Sequence, residues 1–218
     1  MSVTISEQLF EEFCQSKRIR CRRVATAATR SPDYEIFMPR RKVVVEVKEI
    51  SPNREERQAW QDIKKGKFTV VSATPGERVR HKISNAVPQI KARSKGRFPS
   101  LLVLMDTGFA AEHTSPYNVR VAMYGFETLV LAVPSNPARR PYLTDKKFGG
   151  SRKMTPSSNT SVSAVAVIGK LNGNLDFRAY HNEYAAIPLP TAMLRQYAIP
   201  QFVLAAKQLG AVQGWVQV

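Results

Sequence analysis

The stretch that decides the fold is residues 32–48, which read PDYEIFMPRRKVVVEVK. Residues 43–47 are valines apart from one glutamate, and a run of β-branched residues predicts a strand. A first strand opens at Asp33 and runs to about Met38, and residues 39–42 form the turn. The sequence therefore predicts a β-hairpin with a near-continuous apolar second strand.

Two acids and a lysine meet at one end of this hairpin. Because side chains alternate along a strand, Glu46 and Lys48 share one face and Val47 takes the other. Asp33 lies at the start of the neighbouring strand. Two carboxylates bind a hard divalent cation through oxygen and leave positions for water and phosphate. The lysine can orient or deprotonate the attacking water, so the set has what metal-dependent phosphodiester hydrolysis requires.

This arrangement resembles the PD-(D/E)XK nuclease superfamily. Pro32 and Asp33 match the first half of its motif. Glu46, Val47 and Lys48 match the second half. The resemblance implies that Asp33 and Glu46 hold Mg²⁺, helped by the Val47 carbonyl, and that Mn²⁺ can substitute because it also prefers oxygen ligands. Lys48 would position or activate the water. The implied activity is endonucleolytic hydrolysis of DNA, in restriction or defence, repair, or mobile-element processing.

The order of predicted elements agrees with that resemblance over about residues 5–106. A first helix covers residues 5–17, a short strand covers residues 19–24, and the hairpin follows. A helix over residues 78–93 then precedes a buried strand over residues 101–106. The resemblance implies an α/β fold with a restriction-endonuclease-like core, in which a central mixed β-sheet is flanked by helices.

The resemblance also implies supporting residues around the site. On the first helix the candidate acid is Glu7, with Glu11 as the alternative, although either could simply stabilise the positive end of the helix dipole. On the later helix Gln89 is the candidate to hydrogen-bond water or phosphate, and an exposed helix glutamine is the equal alternative. Glu35 shares the face of Asp33 and is either a spare metal ligand or the partner of Arg41 or Lys42.

The charge of the chain favours a polyanionic partner. There are 33 lysines and arginines against 17 acids, which gives a net charge of +16. We expect DNA, with RNA as an alternative, to lie against the helix over residues 78–97 and the loop over residues 139–153. The expected contacts are Arg78, Arg80, Lys82, Arg93, Arg139, Arg140, Lys146 and Lys147. A further basic run lies between Lys17 and Arg23. The alternative is a non-catalytic basic nucleic-acid-binding module in which the acids only pair with arginines.

Length and turn composition predict one domain over residues 1–218. Its core would cover about residues 5–133. Residues 134–160 are rich in proline, glycine and serine and predict a basic loop insertion. Residues 161–218 would form a C-terminal hairpin followed by a helix over residues 191–209 that is interrupted near Pro200.

Several other classes are disfavoured by the sequence. No run approaches the roughly 20 apolar residues that span a bilayer. The amino terminus does not look like a secretory signal, and the two cysteines, Cys14 and Cys21, lack metal-ligand spacing and are too few for a disulfide framework. These features predict a cytoplasmic protein. A homodimer or a larger nucleoprotein complex is compatible with the resemblance, since both DNA strands must often be cut.

Overall fold

The structure, a computed structural model, describes most of the chain. The described residues are 3–24, 31–39, 41–109, 111–205 and 214–218, without the side chains of Lys146 and Lys147. In chain order the helices and strands are α1 (Ile5–Ser16), β1 (Arg20–Arg23), β2 (Tyr34–Met38), β3 (Arg41–Ile50), α2 (Arg54–Lys64), α3 (Glu77–Ser94), β4 (Ser100–Asp106), α4 (Pro116–Tyr124), β5 (Glu127–Ala132), β6 (Tyr142–Phe148), β7 (Ala164–Leu171), β8 (Asn174–His181), α5 (Thr191–Arg195), β9 (Gln201–Leu204) and β10 (Trp215–Gln217).

Eight of these strands form one mixed sheet in the order β1-β2-β3-β4-β7-β8-β9-β10. The first three strands are antiparallel neighbours, whereas β4 pairs with β3 in parallel, and β7 pairs with β4 in parallel. A parallel pair needs a crossover connection, and α2 and α3 supply it between β3 and β4. The prediction of an α/β fold with a central mixed sheet flanked by helices is confirmed.

One face of the sheet is covered by α1. The helix begins with a capping box in which Thr4 and Glu7 each bond the other's backbone amide. Its apolar side buries Phe10 and Phe13 against the inward-facing valines of β3, including Val45. Phe13 also stacks on Phe177 of β8, with ring centroids 4.1 Å apart. The odd-numbered side chains of β3 therefore point toward α1.

The opposite face is covered by α3 and α4. Their buried residues, among them Ile83 and Met123, pack with Ile50 of β3 and with β4. The helix α3 continues through Pro88, because Pro88 and Ser84 are both exposed and the Ser84 carbonyl that loses its partner faces solvent. The even-numbered side chains of β3 point toward α3.

The segment over residues 134–160 is not the simple loop insertion that its composition predicted. Its strand β6 pairs antiparallel with β5 to form a separate two-stranded ribbon. Phe148 anchors the base of this ribbon against Tyr124 of α4. Leu129 and Leu131 are exposed on it. The segment is rich in residues that favour turns, but pairing with β5 makes Tyr142–Phe148 a strand despite that composition.

The prediction of a final helix over residues 191–209 is wrong. A short α5 covers only Thr191–Arg195, and the chain then enters the sheet as β9, which pairs with β8. Residues 206–209 lie outside the described residues. Pro200 ends any continuing helix, and the unpaired edge of β8 supplies backbone partners that a four-residue segment could not find alone. Among the described residues, no helix is both long and apolar enough to cross a membrane.

Candidate active site

Asp33 and Glu46 come together because of the register between β2 and β3. Tyr34 pairs with Val45 in this antiparallel ladder, and one further step along it brings Asp33 opposite Glu46. The Asp33 side chain then takes the position of the next ladder acceptor. It accepts a hydrogen bond of 2.8 Å from the Val47 backbone amide. The two halves of the sequence motif are therefore joined directly.

Lys48 lies on the same face as Glu46, and its ammonium forms an ion pair with Glu46 Oε1. The Glu46 side chain is fully buried, whereas Lys48 keeps about a quarter of its surface exposed. Lys48 thus stands between the buried carboxylate and solvent. The structure brings Asp33, Glu46 and Lys48 into one cluster on the face of the sheet that α3 covers.

The Glu46 carboxylate is incompletely satisfied by the protein. Although Lys48 makes an ionic contact, neither carboxylate oxygen has a hydrogen-bond partner of ordinary geometry. A buried carboxylate with incomplete hydrogen bonding is costly even beside one lysine, so this group can accept a further positive charge. Two carboxylates whose oxygen lone pairs can accept further contacts suit a hard divalent cation. The donor chemistry of Asp33 and Glu46 therefore fits Mg²⁺ or Mn²⁺.

The backbone at Val47 adds a third oxygen to this set. In an extended strand, the N–H and C=O of one residue point to the same side. Since the Val47 amide points to Asp33, its carbonyl points to that side as well, away from β4. Across the described residues, no group of three or more His, Cys, Asp or Glu side chains is arranged to hold a metal. A cation here would depend on two carboxylates, this carbonyl and water.

The electrostatics of the cluster favour protons or cations. Burial, reinforced by the charge of Asp33, raises the pKa of Glu46 to about 7, while Lys48 acts in the opposite direction. Burial also raises the pKa of Asp33, although the Val47 amide and Lys48 oppose this. Both carboxyl groups are therefore harder to ionise than in water. A bound cation would remove that penalty.

The predicted helper acids on α1 are engaged elsewhere. Glu7 accepts from Thr4 in the capping box and pairs with Arg23 at 2.9 Å. Glu11 accepts from the Tyr34 hydroxyl at 2.7 Å. Because α1 lies on the other face of the sheet, neither acid touches Glu46 or Lys48. Glu7 influences the site through its charge, which contributes to the raised pKa of Asp33.

A stripe of α3 runs over the cluster. Lys82, Gln89 and Arg93 lie at helical spacing on one side of the helix. Burial lowers the pKa of Lys82, and the nearby positive charge of Lys48 lowers it further. At the other end, Arg93 donates to Glu35 on β2. Gln89 is half-buried between them, and its side chain makes no hydrogen bond to the described part of the chain.

The other predicted nucleic-acid contacts are scattered. Arg78 pairs with Glu56 of α2 at 3.0 Å. Arg80 is only 8% exposed and donates to the Pro75 carbonyl, and it lines an open surface pocket together with Arg152 and Lys153. Arg139 and Arg140 are exposed in the connection between β5 and β6. Lys146 and Lys147 lie on β6, but their side chains are outside the described structure.

Sequence reasoning missed a cation cluster next to the site. Glu35 is fully buried and pairs with Arg22, Lys42 and Arg93. It is therefore not a spare metal ligand, although pairing with Lys42 was among the expectations. The sequence held one signal, the basic run that contains Arg22. Nothing in the sequence showed that β1, β3 and α3 would bring these cations to one carboxylate.

A separate cavity of about 440 Å³ lies at the far ends of β3 and β4. Trp60 of α2 and Phe109 form its aromatic wall, with ring centroids 3.5 Å apart. Asp106 and His113 supply polar groups to its lining. The residues of the carboxylate cluster do not line this cavity. It is thus a different feature from the Asp33–Glu46–Lys48 site.

Comparisons with known proteins place no constraint on the function of this site. No protein-family model matches the sequence, and no curated protein or solved structure matches the chain. The geometry of the Asp33–Glu46–Lys48 cluster is accordingly the basis for any assignment of function.

Proposed function

We propose that the chain is a divalent-cation-dependent deoxyribonuclease of the PD-(D/E)XK type, with a restriction-endonuclease-like core. One observation carries the proposal: a fully buried Glu46, with both oxygens short of hydrogen-bond partners, lies beside Asp33 and under Lys48. A hydrophobic protein core gains nothing from such a carboxylate. A cation site gains two well-placed oxygen ligands from the pair.

Asp33, Glu46 and the Val47 carbonyl would hold the cation. When bound, Mg²⁺ would act as a Lewis acid toward phosphate oxygen and lower the pKa of water. The Asp33–Val47 hydrogen bond keeps the first carboxylate oriented while its other oxygen remains for the cation. Mn²⁺, which prefers the same oxygen ligands, would substitute.

Lys48 would change partners during this chemistry. Without a cation, its ammonium neutralises Glu46. With a cation on Glu46, the Lys48 ammonium would be repelled, and its flexible stem would allow it to turn toward the exposed side. There it can orient the attacking water and offset charge on the phosphate. Gln89, whose side chain is half-buried on α3 without a hydrogen-bond partner among the described residues, is available to bind water or phosphate from above.

The charge of the chain supports a nucleic acid as the substrate. A net charge of +16 raises the local concentration of a polyanion before any specific contact forms. Lys82 and Arg93 border the cluster on α3, so positive charge lies next to the proposed chemistry. Phosphate contacts of this kind give affinity without sequence information.

The experiment is cleavage of supercoiled plasmid by the purified chain with Mg²⁺, with Mn²⁺ and with EDTA. We expect nicked or linear product with either cation, none with EDTA, and none from Asp33→Asn, which keeps its DNA affinity. Glu12→Gln is the matched control, because Glu12 is an exposed α1 acid paired with Lys170. DNA binding without cleavage at any cation concentration would leave a non-catalytic basic module as the function.

A further inference from the structure

The most heavily charged feature outside the carboxylate cluster is built around Glu35. Its side chain is fully buried, yet it receives Lys42 Nζ at 2.8 Å, Arg93 Nε at 2.9 Å and a terminal nitrogen of Arg22. The three cations come from β3, α3 and β1. Although burial opposes ionisation, Lys42, Arg22 and Arg93 lower the pKa of Glu35 to about 2. One permanent anion thus gathers three cations.

Aromatic rings hold some of these cations as well. The guanidinium of Arg22 lies 5.4 Å from the centroid of the Phe37 ring, and Arg20 lies over the same ring at 5.1 Å. Lys42 Nζ lies 4.1 Å from the centroid of Phe98. Cation–π contacts of this kind restrict where the positive groups sit. Glu35 therefore holds all three cations, and aromatic rings also contact two of them, Arg22 and Lys42.

The outer sides of the same cations remain accessible. The side chains of Arg22 and Arg93 are 60% and 42% exposed, and that of Lys42 is 22% exposed. Arg93 uses only Nε on Glu35, and its terminal nitrogens make no hydrogen bond to the described residues, so they can serve another acceptor. Three cations over one buried anion leave an excess of two positive charges. Rigid guanidinium groups with free N–H donors match the geometry of phosphate.

The cluster lies directly beside the proposed active site. Glu35 is two residues beyond Asp33 on β2 and shares its face. It pairs with Val44, which is two residues before Glu46 on β3. Two strand residues span about 6.8 Å, which is roughly twice the axial rise per phosphate in one DNA strand. A DNA strand with one phosphate at Asp33 and Glu46 would place neighbouring phosphates of the same DNA strand against the cations around Glu35.

We propose that Arg22, Lys42 and Arg93, held in place by the buried Glu35, form a preorganised binding site for DNA backbone phosphates next to the reacting one. The inference rests on the proposed function, because the reacting phosphate at Asp33 and Glu46 defines which backbone phosphates are its neighbours. Binding by prearranged side chains avoids the entropy of ordering three long side chains at the moment of association. Glu35 acts here as a positioning residue, and the three cations make the contacts.

Glu35→Gln gives a sharp test, because two explanations predict opposite signs. If only overall charge matters, removing an acid strengthens DNA binding, as Glu12→Gln on α1 should do modestly. If Glu35 organises the site, Glu35→Gln weakens binding by at least about 10-fold despite the gain in net charge. The probe is a short DNA duplex of random sequence in EDTA, and a melting curve of each variant checks folding.

Arginine variants test whether these cations bind DNA phosphates, even if the Glu35→Gln protein does not fold. Arg22→Ala and Arg93→Ala should each reduce the slope of log K against log salt by about 0.9 for every phosphate that the arginine neutralises in the wild-type complex. Lys170→Ala removes a charge that pairs with Glu12 and should leave the slope nearly unchanged. Unchanged slopes in both arginine variants would overturn the proposal, as would tighter binding by a folded Glu35→Gln protein.

Failure of this site and failure of the proposed function give different results. Binding in EDTA requires no cleavage, so reduced slopes together with an inactive wild-type chain would keep the phosphate site and remove the nuclease. Cleavage by the wild-type chain, together with unchanged salt slopes in the arginine variants, would keep the nuclease and remove the phosphate site.

Discussion

The backbone amide of Val47 donates a hydrogen bond of 2.8 Å to the Asp33 carboxylate. This bond joins Asp33, at the start of the hairpin, to Val47, which lies between Glu46 and Lys48 on β3. It is made entirely by protein groups, so the fold itself holds the two parts of the site together. A preorganised site spends less binding energy on ordering its own groups.

Lys48→Ala should lower the single-turnover cleavage rate by about 10²- to 10⁴-fold, which is the range for losing a positioned proton-transfer group. DNA affinity should change only slightly, because one partly exposed lysine among 33 basic residues is removed. The measurements are quenched cleavage with Mg²⁺ and binding in EDTA. Lys170→Ala is the charge-matched control, and cleavage by Lys48→Ala at the normal rate would show that the assigned role of this lysine is wrong.

Stability without divalent cations should depend on pH through Glu46. Burial raises the pKa of Glu46 from 4.5 to about 7, so the folded state binds more protons than the unfolded state between these values. Stability contributed by this group is therefore present below about pH 4.5 and is lost as the pH rises through 7. The full effect is on the order of 3 kcal/mol. Asp33, whose pKa is also raised by burial, acts in the same direction.

The check is urea unfolding in EDTA from pH 5 to pH 8 for the wild-type chain and Glu46→Gln. The variant cannot ionise at this position, so it should gain stability relative to wild type as the pH rises. Taking the difference removes the opposite contribution of His181, whose pKa is lowered by burial. Saturating Mg²⁺ should reduce the difference, because a bound cation stabilises the ionised carboxylate. A difference that does not vary with pH would contradict the prediction.

Glu7 should act on stability more than on cleavage. Thr4→Ala and Glu7→Ala both break the capping box of α1, and each should cost about 1 kcal/mol. Both variants should keep cleavage within a few-fold of wild type, since Glu7 contacts Thr4 and Arg23 rather than Glu46. Thermal melts and plasmid cleavage provide the measurements. Loss of cleavage in Glu7→Ala alone would instead give Glu7 a direct part at the site.

Gly76 should tolerate alanine poorly. It caps α3 at φ +71°, and a Cβ there would lie 2.8 Å from the Ala122 nitrogen and the Asn118 oxygen in the backbone of α4. Left-handed strain and overpacking together should cost about 3 kcal/mol. Gly66→Ala is the matched control, because Gly66 also has positive φ but a Cβ there meets nothing within 4 Å. Its cost should be about 1 kcal/mol, and equal melting temperatures for the two variants would count against the clash.

The hairpin and its polar face were predictable because they depend on local pattern. The valines around Glu46 predict a strand, and strict alternation then puts Glu46 and Lys48 on one face. The position of Asp33 opposite Glu46 follows from the short turn between the strands. These properties need only neighbouring residues, and the structure brings the three groups together.

What the sequence did not reveal depends on contacts between distant segments. Glu35 meets Arg22 and Arg93 only because β1 and α3 pack beside β2, and no local pattern records that packing. The strand β9 is too short to show a period and exists through its pairing with β8. In the same way, β6 lies in a segment rich in turn residues and is formed by pairing with β5.

The aromatic wall of the separate cavity gives the molecule a built-in optical probe. The chain has two tryptophans: Trp60 stacks on Phe109, whereas Trp215 packs against Tyr180 with centroids 4.8 Å apart. A Trp215→Phe chain would retain a single tryptophan, which lies on the crossover between β3 and β4 and can be excited selectively. Its emission would report movement of α2 when cation or DNA arrives, with no dye attached and no change to the carboxylates.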